Sequence, residues 1–340
     1  MSGAAIKSCI VLRMPKKNIP FVVLFAFTFA AVCCNNKSGS SEVSKRSETS
    51  PSKIHWVAGP SISPNDLLAV DFVDEKNGWA VGDISPEGGP LLRTTDGGNS
   101  WKVIYKTTEV FSAIQFVTPT RGWMAGFAGR LERSDDGGTT WQTQRFEREG
   151  EVLNSICFID GEHGFAAGGR GLVLGTTDGG KVWGPIATGR VEDLWAIRFA
   201  SPERGFIAGE DGLILATTDG GKTWVQKKTG TTKALLGLAV SADGVGIAVG
   251  EGGTILRSEA GSDWAPVDSG TVELLSAVAA ADKDNFWAVG SHGATLQSTD
   301  GGKSWTVTAP VSTKHLLAID LRSASQGVAV GRRGAIQRLE

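Results

Sequence analysis

Aspartate is the residue type with the most chemical potential in this sequence, because it recurs at a fixed place in a repeated turn. The turn reads T-T-D-G-G-x-[ST]-W or a close variant, and its aspartates are Asp96, Asp136, Asp178, Asp219 and Asp300. Carboxylates can serve as catalytic acids or metal ligands, but residues that recur once per repeat cannot converge on one ligand. An aspartate in such a hairpin accepts hydrogen bonds from the amides of its own turn, while the glycines take positive φ. We therefore predict a structural role for all five.

A second pair of carboxylates lies elsewhere in the repeat. Asp71 and Asp320 occupy the same variable position in the first and last copies of an apolar strand pattern. If the first and last repeats adjoin in space, the two could form the acid/base pair of a glycoside hydrolase. The alternative is that both line a solvated channel. A sialidase would need a tyrosine nucleophile and three arginines, and Tyr105 is the sole tyrosine, four residues after a repeat tryptophan. Sialidase activity is disfavoured.

Other catalytic or cofactor signals are weak. The four histidines fall in different repeats and at different positions, so the spacing does not indicate a metal site. Cys157 lies in an apolar strand and is expected to be a small buried residue. The formal net charge of −2 does not favour nucleic acid as a partner. We predict no catalytic residue, no metal and no cofactor.

The spacing of glycine and tryptophan predicts the fold. A segment of about forty residues, with apolar runs separated by glycine turns, repeats from residue 54 to the end, as in the blades of a β-propeller. Its markers are Gly82, Gly126, Gly168, Gly209, Gly250, Gly290 and Gly331, and Trp56, Trp101, Trp141, Trp183, Trp224, Trp264 and Trp305. The sequence therefore predicts an all-β, seven-bladed β-propeller over residues 53–340.

The offset between the two marker series predicts how the ring closes. The last repeat ends before its own tryptophan, whereas Trp56 precedes the first inner strand. We expect Lys53 to Val57 to pair beside Ala335 to Leu339, so that the N-terminal strand closes the last blade and no sheet edge stays open. The turn of the fifth blade has lost the repeated motif at residues 258–264 and is expected to be the least rigid.

Residues 1–34 have the pattern of an export signal. Arg13, Lys16 and Lys17 precede an apolar stretch that ends at Cys33 and Cys34, and residues 35–52 form a polar tether. The leader resembles a bacterial lipoprotein signal, which implies lipidation of Cys33 or Cys34. Simple cleavage with release, and an uncleaved anchor, are the alternatives. All three export the propeller, to a periplasm, cell envelope or thylakoid lumen.

Charged residues are unevenly distributed over the turns that follow the first glycine marker. Arg130, Arg170, Arg332 and Arg333 fall in the second, third and seventh blades, whereas Glu210, Asp211 and Glu251 fall in the fourth and fifth. Ring closure would make one sector basic and the opposite sector acidic, which can orient a protein partner. Randomly charged, solvated turns are the alternative. The extra residues Ile84 to Gly89 in the first blade lie beside the basic sector.

Two motifs in one blade carry a family resemblance. Gly205-Phe206-Ile207-Ala208-Gly209 is followed by Thr217-Thr218-Asp219-Gly220-Gly221-Lys222-Thr223-Trp224, which contains the Asp-box, or bacterial neuraminidase repeat. With the same pattern in the other blades, the chain resembles the photosystem II stability/assembly factor family over residues 54–340. The resemblance implies a non-enzymatic propeller that binds newly made membrane subunits, chiefly the D1 precursor. An exported envelope propeller with another partner, or a glycan hydrolase, are the alternatives.

Overall fold

The structure, a computed structural model, describes residues 54–145, 151–259 and 262–340. Within these residues the chain forms seven four-stranded antiparallel sheets, each one blade of a β-propeller. The predicted fold class is confirmed. The predicted leader, tether and lipidated cysteines, residues 1–52 with Cys33 and Cys34, lie outside the described residues, as does Lys53.

The strands run from the axis outward in each blade. Blades 1 to 3 contain β2 (Leu67–Phe72), β3 (Gly78–Gly82), β4 (Gly89–Thr94) and β5 (Lys102–Thr107); β6 (Phe111–Phe116), β7 (Gly122–Gly126), β8 (Arg130–Ser134) and β9 (Gln142–Arg145); β10 (Leu153–Phe158), β11 (Gly164–Gly168), β12 (Val173–Thr176) and β13 (Gly184–Ile186). Blades 4 to 6 contain β14 (Leu194–Phe199), β15 (Gly205–Gly209), β16 (Ile214–Thr217) and β17 (Val225–Gln226); β18 (Leu235–Val240), β19 (Val245–Gly250), β20 (Ile255–Glu259) and β21 (Ala265–Val267); β22 (Leu275–Ala280), β23 (Phe286–Gly290), β24 (Thr295–Ser298) and β25 (Thr306–Val307).

The seventh blade is made from both ends of the propeller. Its strands are β26 (Leu316–Ser323), β27 (Gln326–Gly331) and β28 (Ala335–Leu339), with β1 (Trp56–Ala58) as the outermost strand. Trp56 pairs with Leu339 and Ala58 with Gln337, as the tryptophan offset predicts. The Trp56 ring also packs edge-on against Trp287 of blade 6, with 5.5 Å between ring centroids. The N-terminal strand therefore covers the edge of blade 7 and also contributes a side chain to the core between blades 6 and 7.

Aromatic side chains join neighbouring blades. Trp79 of blade 1 stacks on Phe116 of blade 2, and Trp123 of blade 2 stacks on Phe158 of blade 3, at centroid distances of 3.7 and 3.5 Å. These residues come from the G-[WF] position of one blade and the end of the inner strand of the next. Burial of large aromatic surfaces is the main stabilising contribution in such an array.

Small residues surround the axis, as the inner-strand pattern predicts. Ala69, Ala113, Ser155, Ala196, Gly237, Ala277 and Ala318 line a central cavity of about 130 Å³. At Gly237 even a methyl group would crowd the next blade, because a Cβ atom would lie 2.8 Å from the Cα of Ala277. The inner strands therefore approach too closely for larger side chains at this level.

Two ends of the ring present different turns. At one end, six one-turn 3₁₀ segments join the second and third strands of blades 2 to 7: Phe127–Gly129, Gly169–Gly171, Glu210–Gly212, Glu251–Gly253, Ser291–Gly293 and Arg332–Gly334. We call this end, with the loops that enter the inner strands, the turn face. The opposite end carries the Asp-box turns and is called the Asp-box face. Among the described residues, no helix has the length and apolar character needed to cross a membrane.

Candidate functional site

The turn face holds all four arginines of the predicted basic sector. Arg170 and Arg333 lie at the centres of their 3₁₀ turns, with φ of 52° and 53°. In both turns the backbone N–H of the arginine donates to a carboxylate from the loop entering the next blade, Asp193 and Asp66 respectively, at 2.7 and 2.8 Å. The neighbouring loop thus fixes the strained turn, and the arginine side chain projects from a rigid base.

Arg170 and Arg130 each pair with a glutamate in the loop that enters the inner strand of their own blade. Arg170 donates to Glu151, whose side chain is only 6% exposed although that of Arg170 is 73% exposed. Arg130 donates to Glu109 at 3.2 Å. A buried carboxylate that loses its partner is costly, so Arg170 stabilises the fold as well as adding charge to the surface. These two arginines add less net positive charge to the face than their sequence positions suggest.

The arginines of blade 7 have weaker ion-pair contacts than Arg130 and Arg170. The guanidinium of Arg332 is 56% exposed and lies 4.0 Å from Asp66. Among the described residues, no ion pair involves the guanidinium of Arg333, and its carbonyl accepts a hydrogen bond from Lys314 Nζ at 3.1 Å. Arg332, Arg333 and Lys314 therefore form the part of the basic sector that is most available to a partner.

The opposite sector of the turn face is acidic, as the sequence predicts. Glu210, Asp211 and Glu251 lie on the turns of blades 4 and 5. Burial raises the pKa of Glu210, and the charges of Asp193, Asp211 and Glu251 raise it further. The neighbouring carboxylates therefore concentrate negative charge around Glu210.

Two histidines come together at the junction of blades 6 and 7, which sequence reasoning missed. His292 lies on the 3₁₀ turn of blade 6 and His315 on the loop entering blade 7, with ring centroids 5.1 Å apart. His292 Nδ1 lies 2.8 Å from Glu273. Burial lowers the pKa of His315, and the charges of Arg332 and His292 lower it further. The sequence carried one signal for this contact: His292 lies in the turn after Gly290 and His315 directly precedes an inner strand, and both kinds of position belong to the turn face.

The pair Asp71 and Asp320 has a structural connection that the sequence did not indicate. Asp320 Oδ2 accepts the backbone N–H of Phe72, and Asp71 Oδ2 accepts that of Phe116, each at 2.7 Å. Gln115 continues the pattern by accepting the N–H of Phe158 at 2.6 Å. Each side chain thus joins its inner strand to the inner strand of the next blade. Neither a fully solvated lining nor a free acid/base pair describes this arrangement.

Both carboxylates are partly exposed, but the neighbouring inner strands remove much of their hydration. Burial raises the pKa of Asp320 to about 6, against the hydrogen bonds from Phe72 and Leu321 and the charges of Arg198 and Arg322. Burial raises the pKa of Asp71 well above its ordinary value, and the nearby charge of Asp320 raises it further. The hydrogen bond from Phe116 and the charge of Arg198 oppose this shift.

The five Asp-box aspartates lie at the opposite face, one per turn. In the first box, Asp96 Oδ1 accepts the N–H of Ser100 at 2.9 Å and the hydroxyl of Thr94 at 2.8 Å. The side-chain and backbone hydrogen bonds from Ser100 lower the pKa of Asp96 to about 2. Asp136, Asp178, Asp219 and Asp300 accept equivalent bonds from the fourth residue after them. The turn of blade 5 lacks such an aspartate, and two of its residues, 260 and 261, lie outside the described residues.

Other candidates have simple placements. Tyr105 lies on the outer strand β5 and is 36% exposed. Cys157 is a buried free thiol whose pKa is raised by burial. In the part of the chain that the structure describes, no group of three or more His, Cys, Asp or Glu residues could hold a metal ion.

Part of the sequence matches the model of a known protein family. The model of the family described as photosynthesis system II assembly factor YCF48 matches residues 102–192, from β5 to the end of blade 3. The chain resembles this assembly-factor family. No curated protein matches the sequence.

Solved structures with the same fold include members of that family. A structure described as YCF48 bound to D1 peptide is 20% identical, with a TM-score of 0.69, over 85% of this chain and 97% of that one. YCF48 from Cyanidioschyzon merolae is 19% identical, with a TM-score of 0.68, over 84% and 98%. A GH74 xyloglucanase from Xanthomonas campestris is 14% identical, with a TM-score of 0.66, over 83% of this chain and 53% of that one. At these identities the likeness is one of fold.

Proposed function

We propose that this protein is a non-enzymatic assembly factor that binds a newly made membrane-protein subunit, a D1-like subunit of photosystem II in a photosynthetic cell. The observation that carries the proposal is the match of residues 102–192 to the YCF48 family model. The likeness of fold to a YCF48 structure that holds a D1 peptide supports it. Asp71 and Asp320 each accept a backbone N–H from the next blade, which also favours a binding role over glycoside hydrolysis.

The turn face is the part of the ring suited to this role. Arg332, Arg333 and Lys314 offer cationic groups on blade 7, and blades 4 and 5 offer carboxylates on the opposite side of the axis. Charges sorted in this way orient a partner as it approaches and increase its association rate. A partner segment that spans the face would place its acidic residues over blade 7.

The test compares two variants with the same change of net charge. Arg332→Glu/Arg333→Glu alters the blade 7 part of the turn face, whereas Lys227→Glu/Lys228→Glu alters a basic pair in the loop that follows the outer strand of blade 4, away from blade 7. Each protein is purified by affinity from the membranes of its native cells, and co-eluting proteins are identified by mass spectrometry. We expect the wild type and the lysine variant to retain one membrane subunit and the arginine variant to lose it. Equal retention by both variants, or no specific subunit with the wild type, contradicts the proposal.

We further propose that the propeller is exported and held at a membrane by a lipid on Cys33 or Cys34. The apolar stretch followed by two cysteines and a polar tether supports this proposal. Labelling cells with radioactive palmitate tests it: the wild type should incorporate label, and Cys33→Ala/Cys34→Ala should not. Unlabelled wild-type protein in the soluble exported fraction would favour cleavage and release instead.

A further inference from the structure

One residue position on the third strand of each blade faces the blade that follows. It is the cross-strand partner of the G-[WF] residue, and the pairs include Trp79 with Arg93, Trp123 with Arg133 and Ile247 with Arg257. The pair in blade 7 is Val328 with Arg338, so arginine occupies this position in blades 1, 2, 5 and 7. In blade 3 the corresponding pair is Phe165 with Gly175, so the position carries no side chain.

Residues of this cross-strand pair, or Arg322 near the end of the inner strand in blade 7, supply hydrogen-bond donors to the Asp-box turn of the following blade. The first glycine carbonyl of four boxes accepts such a donor: Gly137 from Trp79, Gly179 from Trp123 and Arg133, Gly301 from Arg257, and Gly97 from Arg322. The fifth box, in blade 4, follows the blade that has Phe165 and Gly175. Within the described residues, the carbonyl of Gly220 accepts no hydrogen bond.

A cleft opens where this donor is missing. It has a volume of about 880 Å³ between blades 3 and 4, and its lining includes Phe165, Gly175, Ile186 and Gly220. The Phe165 ring packs against the second box glycine, since a Cβ atom on Gly221 would lie 2.5 Å from it. Asp160, His163, Asp219 and Lys222 also line the cleft, and the two carboxylates accept hydrogen bonds within their own turns.

The molecule itself indicates which chemical group fits this arrangement. The Arg322 guanidinium lies 4.6 Å from the centroid of the Phe72 ring and donates to the Gly97 carbonyl at 2.7 Å. The Arg93 guanidinium lies 5.3 Å from the centroid of Trp79. A planar guanidinium can stack on an aromatic face and donate to a carbonyl at the same time, which an ammonium does less well. In the cleft, Phe165 holds the place that Trp79 has in blade 1, and one face of its ring stacks on Phe199 with 4.6 Å between centroids. Among the described residues, neither this ring nor the Gly220 carbonyl has an arginine partner.

We propose that the cleft between blades 3 and 4 is a docking site for an arginine side chain of a partner protein. The guanidinium stacks over the free face of Phe165, donates to the Gly220 carbonyl and lies near the carboxylates of Asp160 and Asp219. The site is at the Asp-box face and is distinct from the basic sector of the turn face. Its existence is therefore independent of the proposed assembly function.

The test uses the full chain labelled with ¹⁵N-glycine, whose Gly220 and Gly221 amides report on the cleft. The probe is the peptide acetyl-Gly-Arg-Gly-amide, and its control is the same peptide with citrulline, which has the shape of arginine without the charge. We expect a saturable shift of both glycine resonances with the arginine peptide and at least about tenfold weaker binding of the citrulline peptide.

Two variants fill the cleft from within. Gly175→Arg places a guanidinium where blades 1, 2, 5 and 7 have one, and Gly175→Met fills the space with an apolar chain. A new side chain would meet the flexible end of Ile186, 2.7 Å away, which can shift. Both variants should lose the peptide response, and Gly175→Arg should melt at a higher temperature than Gly175→Met. An absent response in the wild type, an unchanged response in either folded variant, or equal binding of the citrulline peptide overturns the proposal.

Discussion

At the scale of single residues, the axial carboxylates connect blades at an electrostatic cost. Asp71 and Asp320 have pKa values raised above the ordinary 3.8, so the folded ring favours their protonated forms. The stability that protonation contributes is complete below about pH 4 and is lost as the pH rises through the Asp320 value of about 6. The propeller should therefore be more stable at pH 5 than at pH 7.5, as far as this pair is concerned.

The substitution Asp71→Asn tests this linkage. The amide oxygen can still accept the N–H of Phe116, but the buried charge and its repulsion with Asp320 are removed. We expect the free energy of unfolding to rise by about 1 to 2 kcal/mol at pH 7.5 and to change little at pH 4. Urea denaturation at the two pH values measures it. Asp71→Ala, which loses the acceptor, is the control and should be less stable than Asp71→Asn; a destabilised Asp71→Asn at pH 7.5 would show that the charge itself is needed.

At the scale of the strand, β1 contributes more to stability than its length of three residues suggests. Trp56 is 5% exposed and packs against Trp287 while β1 covers the edge of β28. A chain that begins at Pro60 should melt about 10 °C lower, because it loses a buried tryptophan, and should dimerise through the uncovered edge. Thermal unfolding and light scattering measure the two effects, with a chain beginning at Ile54 as the control. Equal melting temperatures and a monomeric chain would mean that β1 does not close the ring.

Strand-level features were also the most predictable from sequence. The G-[WF]-x-A-G and Asp-box patterns define strands and turns locally, so the blades and the closing strand could be predicted from the repeat. The ion pairs of the turn face could not be predicted, because the repeat pattern does not indicate which loop carboxylate contacts which arginine. Glu151, Asp66 and Glu109 come from loops without a motif, yet they determine which arginines of the turn face are free. The open position at Gly175 became visible only beside the arginines of the other blades.

At the scale of the whole molecule, the two ends of the propeller are adjacent in one sheet. The backbone of His55 exchanges two hydrogen bonds with Glu340, at 2.9 and 3.0 Å. Joining residues 340 and 54 by a short glycine-serine linker and opening the chain after Pro310, in an exposed loop, would make every blade continuous in sequence. We expect this circular permutant to fold with a melting temperature within a few degrees of the original, as seen by circular dichroism. Failure to fold would mean that closure needs the native chain order.

The shared position of the ends also determines how the ring would respond to force. Strands β1 and β28 are antiparallel, so the start of β1 and the end of β28 lie at the same edge of the sheet. A pull applied at residues 54 and 340 would therefore open the His55, Trp56, Val57 and Ala58 pairings one after another instead of shearing them all at once. The same seam that completes the ring in solution should be its mechanically weakest point, with blade 7 unzipping at low force before any other blade yields.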